Sequence, residues 1–486
     1  MTRCVRTWFI LPLTACVGCQ VCRVCPANPA PAFSSIECNV ASVAGTRSTP
    51  EIQVCAAAAP TPTPVDLPSF WNLALANNPS LREAAGDVEA ARGLLIQAGL
   101  YPNPRFVYDQ NTIGSRIAPQ GNFVLQLNQE IVTGGKRTLD INVANRAVDV
   151  QKLALIGRKF TTLTRVRRAY YDYVGLEAIV HVNEEIVATL QRGVDVTRRQ
   201  VEEAKTRPRT DVLRLEALLE NARITLTTNR SNRDAAWRHL AAEVGLPDLP
   251  MPAAKPPTLP ETAPTLDVKL VNQRVLTAHS DLKQALMDTE RARLALERAK
   301  AQAVPNVTVG AGYSAENIDS TAGGHISLDV PLPLWDRNQG HIYEAKARFA
   351  QTVAFQSTTV NRLTQETAAA FARYTALRQQ VDRLTDEVLP RLRESLDLLL
   401  KGYQAGAAQV TFADVFQAEQ DLNATRLALA DARRNLWLAF ADLQGLMQID
   451  IDEDVVAVAV APAPDRAEPP DTLPSPRHVG GEVPRP

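Results

Sequence analysis

The chain has 486 residues, 45% of them hydrophobic and 22% charged, with a formal net charge of −1. This is the composition of a folding chain, and its near-neutrality argues against a nucleic-acid partner, which a basic excess would announce. No run of about 18 apolar residues offers a transmembrane helix, which leaves a soluble protein or a β-barrel, whose strands are weak signals one at a time.

The N-terminus reads as an export signal over residues 1–16. Arg3 and Arg6 give the positive region, Trp8 to Leu13 a short apolar one, and Leu13-Thr14-Ala15-Cys16 is similar to a bacterial lipobox, so Cys16 is the expected acylated residue, with a plain signal cleaved elsewhere as the alternative. All seven cysteines lie at or before Cys55, so no disulfide framework shapes the body. The run Cys16, Cys19, Cys22, Cys25, Pro26 invites comparison with a ferredoxin cluster motif. Its last gap is one residue short, and no second run completes it. The six histidines show no ligand spacing, so no metal and no cofactor is expected. Residues 17–67 and 450–486 are rich in Pro and Ala without sustained periodicity, and read as a disordered leader and tail.

Between them the sequence repeats itself. Thr210 to Arg223 (TDVLRLEALLENAR) lies on Ala413 to Arg426 (ADVFQAEQDLNATR) at an offset of 203. At an offset of 201, Tyr170, Tyr173 and Leu176 fall on Phe371, Tyr374 and Leu377, and at 200, Gly245 falls on Gly445. The units are 68–246 and 266–449, joined by a Pro-rich linker at 247–265.

Each unit reads helix, strand, strand, helix, turn, helix. The first helices are expected over about Leu67 to Leu100 and Leu266 to Ala303, each ended by an X-Pro step, Tyr101-Pro102 and Val304-Pro305. Strands follow over roughly Arg105 to Thr112 and Asn122 to Val132, where apolar Phe123, Leu125 and Leu127 alternate with Val124, Gln126 and Asn128. The second unit has Val307, Val309, Ala311 and Tyr313 against Asn306, Thr308, Gly310 and Gly312, then Ile326, Leu328 and Val330 against His325, Ser327 and Asp329. Two very long helices come next. The first, from Arg137 to Arg207, has no proline and would extend about 100 Å; the second, from Gln339 to about Gly402, carries Pro390, an expected kink.

Strand number then dictates assembly. A sheet facing lipid cannot leave its edges unpaired, and single-chain membrane barrels need at least about eight strands. With four strands per chain, two copies would pool eight and three would pool twelve. The attached helices would continue the same tube, forming a pore without chemistry of its own.

Over Pro68 to Ile449 the chain resembles the TolC-type outer-membrane efflux factors, above all the heavy-metal (cobalt-zinc-cadmium) branch. The residues behind this are Asn78-Pro79-Ser80-Leu81, Gln97 to Pro104 (QAGLYPNP), the strand-to-helix turn Gly134-Gly135-Lys136-Arg137, and Val330 to Gly340 (VPLPLWDRNQG), whose Pro331, Pro333, Asp336, Asn338 and Gly340 form the second such turn. The resemblance implies a homotrimer with a twelve-stranded barrel in the outer membrane and a helical tunnel in the periplasm. It also implies docking to a periplasmic adaptor and an inner-membrane RND-type pump, with outer-membrane lipid around the barrel. Phe123, Leu125, Leu127, Ile326, Leu328 and Val330 would face lipid, and Gln126, Asn128, Ser327 and Asp329 the lumen. Arg207, Arg209, Asp211, Gly406, Gln409 and Asp414 would lie at the periplasmic tip, where the family constricts the tunnel and meets the adaptor. For Asp211 and Asp414, gating and simple helix capping both stand open.

Two other classes compete. A periplasmic coiled-coil adaptor or scaffold explains the helices and the signal, but not two strand pairs with an apolar face. An iron-sulfur or metal-dependent enzyme rests on the cysteine run alone, and no P-loop, G-x-S-x-G or H-E-x-x-H motif supports it.

Overall fold

The computed structural model describes residues 66–111, 113, 116, 122–202, 208–252, 256–316, 321–405 and 409–450. All of them fall within one compact unit, Pro60–Pro486. The signal, the leader through residue 65 and the tail after residue 450, Cys16 among them, lie outside the described residues, as do Arg207 and Gly406.

Each repeat opens with two helices where the sequence suggests one. In the first, α1 (Leu67–Asn77) stops at Asn78 and α2 (Pro79–Ala98) restarts there, because Asn78 is extended and its side chain accepts from Ser80 N. In the second, α5 (Val268–Ala278) and α6 (Ser280–Ala301) break at His279, whose ring accepts from Asp281 N at 3.1 Å. Both breaks dock on the end of a returning helix. Asn78 Nδ2 donates to Glu243 O at 2.7 Å, and Ser280 exchanges hydrogen bonds with Gln448, N to Oε1 at 2.9 Å and Nε2 to Oγ at 2.7 Å.

The strands are β1 (Arg105–Asn111), β2 (Asn122–Ile131), β3 (Val307–Glu316) and β4 (Thr321–Asp329), an antiparallel sheet in the order β1-β2-β3-β4. After β2 comes α3 (Lys136–Glu202), 67 residues long, and after β4 comes α7 (Gln339–Arg383), which passes through one π-helical turn, Leu384–Val388, into α8 (Leu389–Gln404). The expected interruption at Pro390 is thus a π-turn just before it, a common way to absorb a residue that lacks an N–H. The returning helices are α4 (Arg209–Val244) and α9 (Phe412–Met447), 36 residues each. Both end on a left-handed cap, Gly245 and Gln448. Gly245 therefore corresponds to Gln448, at the same offset of 203 as the helix starts. Its match to Gly445 is a coincidence of local sequence, since Gly445 lies inside α9.

The core repeats with the chain. Phe70, Trp71 and Ala74 of α1 pack on Leu163, Val166, Tyr170 and Tyr173 of α3 and on Trp237, Leu240 and Val244 of α4. Val271 and Val275 of α5 do the same with Leu363, Tyr374 and Val381 of α7 and Leu436, Phe440, Leu443 and Met447 of α9. The Pro-rich linker is stitched to both halves: Trp237 Nε1 donates to Leu249 O and Trp437 Nε1 to Pro260 O, each at 3.1 Å.

Candidate functional site

Register sorts the sheet into two chemically distinct faces. Phe106 pairs with Leu127, Tyr108 with Leu125, Leu125 with Tyr313, Val309 with Leu328 and Ala311 with Ile326. Partners in register share a face, so these side chains form one apolar surface across all four strands. Much of it is bare: Ile326 is 84% exposed and Leu328 70%. The opposite face carries Gln126, Asn128, Ser327 and Asp329, with Asp109 and His325. Asn128 pairs with Gly310 and Gly310 with Ser327. Gly310 has no room for a side chain, since a Cβ there would fall within 2.3 Å of Asn128 Oδ1 and Ser327 Oγ. Gln126 Nε2 donates to Ser327 Oγ across the same glycine. Phe123 lies on the apolar face beside Tyr313, their ring centroids 6.4 Å apart, and Val330 follows the end of β4, exposed.

Where the strands meet the helices, the two repeats part company. Gly134 and Gly135 both take left-handed φ, 65° and 66°, and deliver Lys136 into the interior, 1% exposed. Its ammonium donates to Asn306 Oδ1 at 2.5 Å, an atom that also accepts from Thr133 N at 3.3 Å. Asn306 Nδ2 in turn donates to Glu130 Oε1 at 2.6 Å. Burial holds the Lys136 pKa below its ordinary value, and the charge of Arg298 adds to this. Next along α3, Arg137 donates to Gly99 O at 2.9 Å and lies 3.9 Å over the Tyr101 ring. In the second repeat Asn338 caps α7 in the left-handed region, φ 62°, and donates through Nδ2 to Ala299 O at 2.7 Å. Asp336 Oδ1 accepts from Asn338 N at 2.8 Å, while Pro331, Pro333 and Gly340 are exposed. Leu332, Leu334 and Trp335 point away from the core, at 74%, 60% and 86% exposed. Both turns border one cleft of about 420 Å³, lined by Glu130, Lys136, Asn306, Pro331, Leu332 and Asp336 among others.

At the far ends of the long helices, Arg209 opens α4 and Asp211 sits in its first turn, half-buried, above an N-cap, Pro208, that has no capping side chain. Helix α9 opens differently. Thr411 N and Oγ1 both donate to Asp414 Oδ2, at 2.8 and 2.6 Å, and Asp414 N donates to Thr411 Oγ1 at 3.4 Å. These hydrogen bonds hold the Asp414 carboxyl below the usual carboxylate range. Asp414 is thus half of a capping box, and Gln409 stands exposed in the turn before it. Two residues not singled out in the sequence matter here. Glu216 pairs with Arg198 at 2.6 Å, whereas its counterpart Glu419 has no ion pair among the described residues, and burial pushes its carboxyl up. The shared Glu at an offset of 203 marked the pair; nothing in the sequence marked their different partners. Among the described residues, no group of three or more His, Cys, Asp or Glu is arranged to hold a metal ion, and no helix is long and apolar enough to cross a membrane.

The family model for outer membrane efflux proteins matches residues 71–246 and 271–447, one match for each repeat. The chain belongs to the outer membrane efflux protein family. It is accordingly an outer-membrane protein with most of its length in the periplasm, and a passive conduit rather than an enzyme. Among relatives of the family it is 26% identical to the cobalt-zinc-cadmium resistance protein CzcC of Cupriavidus metallidurans over 375 residues, 75% of this chain and 85% of that one. It is 25% identical to the protein CyaE of Bordetella pertussis over 299 residues, 57% of this chain and 63% of that one. Its fold matches the outer membrane protein VceC of Vibrio cholerae with a TM-score of 0.66 at 20% identity, covering 79% of this chain and 96% of that one. For CusC the TM-score is 0.65 at 19% identity, with 78% and 91% covered.

Proposed function

We propose that three copies of this chain pool their strands into one twelve-stranded outer-membrane barrel, continued by a periplasmic tunnel of helices, as the exit conduit of a tripartite efflux system. The observation that carries this reading is the sheet itself: β1 and β4 each pair on one side only, and an open edge in lipid costs several kcal/mol per unsatisfied group. Closing β4 of one copy on β1 of the next removes every edge. In that barrel Phe123, Leu125, Leu127, Ile326, Leu328 and Val330 face lipid, and Gln126, Asn128, Ser327 and Asp329 wet the lumen.

The tip residues Arg207, Arg209, Asp211, Gly406, Gln409 and Asp414 meet a periplasmic adaptor, which joins the tunnel to an inner-membrane RND-type pump. Cys16 carries a lipid, and residues 68–246 and 266–449 act as the two tunnel-forming units. The cargo is heavy-metal cations, a reading supported by the likeness to CzcC over most of both chains. Metals pass as cargo, since no resident site is needed. Deleting the gene tests the cargo: tolerance to cobalt, zinc or cadmium falls and returns with the full-length chain. Unchanged tolerance to all three, beside lost tolerance to hydrophobic drugs, sinks the metal assignment and leaves the conduit.

A further inference from the structure

Each strand is joined by a short segment to a helix, α2 to β1, β2 to α3, α6 to β3 and β4 to α7. These helices pack side by side in the order of their strands, α2 on α3, α3 on α6 and α6 on α7. One open edge of the chain is therefore α2 with β1, and the other is α7 with β4. Between them lies a finished seam of the same kind, where β2 and α3 of the first repeat meet β3 and α6 of the second.

The finished seam shows what such a joint needs. Residues 133–136 seat on the end of α6: a Cβ on Gly134 would meet Val304 Cβ at 3.1 Å and Ala301 O at 3.4 Å, Thr133 Oγ1 donates to Pro305 O, and the Lys136 ammonium donates to Asn306 Oδ1. The receiving triplet, Val304-Pro305-Asn306, has a twin at the end of α2, Tyr101-Pro102-Asn103, at the offset of 203. There the seat is empty. Leu94, Ile96 and Leu100 are exposed, the first two at 69% and 68%, and the Asn103 side chain has no hydrogen-bond partner among the described residues. The opposite edge carries the matching parts. Leu332, Leu334 and Trp335 stand bare just before α7, and beside them the exposed Arg337 guanidinium has no ion pair or hydrogen bond among the described residues. Apolar surface bared at both edges costs about 25 cal/mol for each Å² in water. A head-to-tail joint that sets one edge on the other in every copy closes a ring and covers both.

We propose that residues 332–337 of one copy clasp the α2 end of the next, with Leu332, Leu334 and Trp335 covering Leu94, Ile96 and Leu100, and Arg337 donating to Asn103 Oδ1 as Lys136 does to Asn306 within the chain. The proposal rests on the three-copy reading and adds to it which residues join the copies where the sheet gives way to the tunnel. The occupant is a second copy on two grounds. Closing β4 on the next β1 brings α7 beside the next α2, just as the pairing of β2 with β3 brings α3 beside α6. The segment also offers a cation next to its apolar side chains, and the α2 end offers a free amide oxygen next to its own, a charge-assisted pairing that acyl chains cannot supply.

The test replaces Trp335 by the photoreactive benzoylphenylalanine in the full-length chain and irradiates whole cells. The expected product joins two chains, with the adduct mapped by peptide mass spectrometry to residues 94–103 of the second. An adduct to phospholipid, to another protein or within the same chain, or no adduct at all, overturns the clasp. If the species extracted in mild detergent then still holds three chains, the conduit reading stands without it; a single chain takes that reading down as well. A second arm leaves the apolar parts in place. Asn103→Asp turns the accepting amide into a carboxylate and is expected to raise the temperature at which the three-chain species dissociates, and to do so only while Arg337 is present. No shift, or an equal shift in an Arg337→Ala background, overturns the pairing of the two.

Discussion

The two strand-to-helix junctions come from one duplicated element, yet one turns inward and the other outward. At Gly134-Gly135-Lys136 a buried ammonium reaches across to Asn306, 170 residues further on, and ties the first repeat's turn to the second repeat's. At Pro331 to Asn338 the equivalent segment ties back to α6 through the Asn338 side chain, Nδ2 to Ala299 O, and leaves its apolar side chains bare. Duplication made the division possible. Once one copy of the turn fastens the repeats together, the other is free to face whatever surrounds the sheet.

If that contrast is right, the inward junction is the sensitive one. Lys136→Ala removes a buried donor and most of a side chain, leaving Asn306 Oδ1 with only the long bond from Thr133. A loss of about 2–3 kcal/mol is expected, read as an earlier thermal midpoint of the assembled protein in detergent. A change as small as that of a surface substitution would mean the lysine is not the fastening.

Gly134→Ala comes next. The left-handed φ costs about 1–2 kcal/mol for an L side chain, and the new methyl would meet Val304 Cβ at 3.1 Å. Gly340→Ala, one residue into α7 at the outward junction, has open space and an ordinary helical position. It should gain about 0.5–1 kcal/mol. Opposite signs of the two midpoint shifts, measured side by side, would bear out the contrast, and equal shifts would break it.

The helix breaks repeat the contrast on a smaller scale. Asn78 and His279 do the same capping work, but only the histidine titrates. Burial holds its pKa below the ordinary 6.5; Asp281 pulls the other way, Arg362 adds to the lowering, and Glu366 opposes it. A lowered folded pKa means stability that is full above about pH 6.5 and is lost as pH falls through the folded value, because the protonated ring can no longer accept from Asp281 N. A cap is worth about 1 kcal/mol. His279→Asn should therefore flatten the decline of the thermal midpoint between about pH 7 and pH 5, whereas Asn78→His should steepen it.

How much of this was legible in the sequence follows the same line. Both faces of the sheet could be read from alternation, because a period of two survives without knowledge of partners, and β1 and β2 end within one residue of expectation at Asn111 and Ile131. The break at Asn78 had a local signal in Pro79. The break at His279 had none, because it is made by Ser280 bonding to Gln448, 168 residues away. The burial of Lys136 was hidden for the same reason: a lysine reads as surface until its partner is known. Gly245 and Gly445 looked equivalent because a shared Gly-Leu pair outweighed helix length, and only the cap geometry moved the correspondence to Gln448. For Asp414, capping is what the geometry contains, through Thr411.

The claim that four strands are one copy's share of a common barrel is tested most directly by the mass of the species extracted from the outer-membrane fraction in mild detergent, by native mass spectrometry. Three chains, dissociating on heating, is the predicted result. A single chain, or recovery in the soluble periplasmic fraction, would contradict the account.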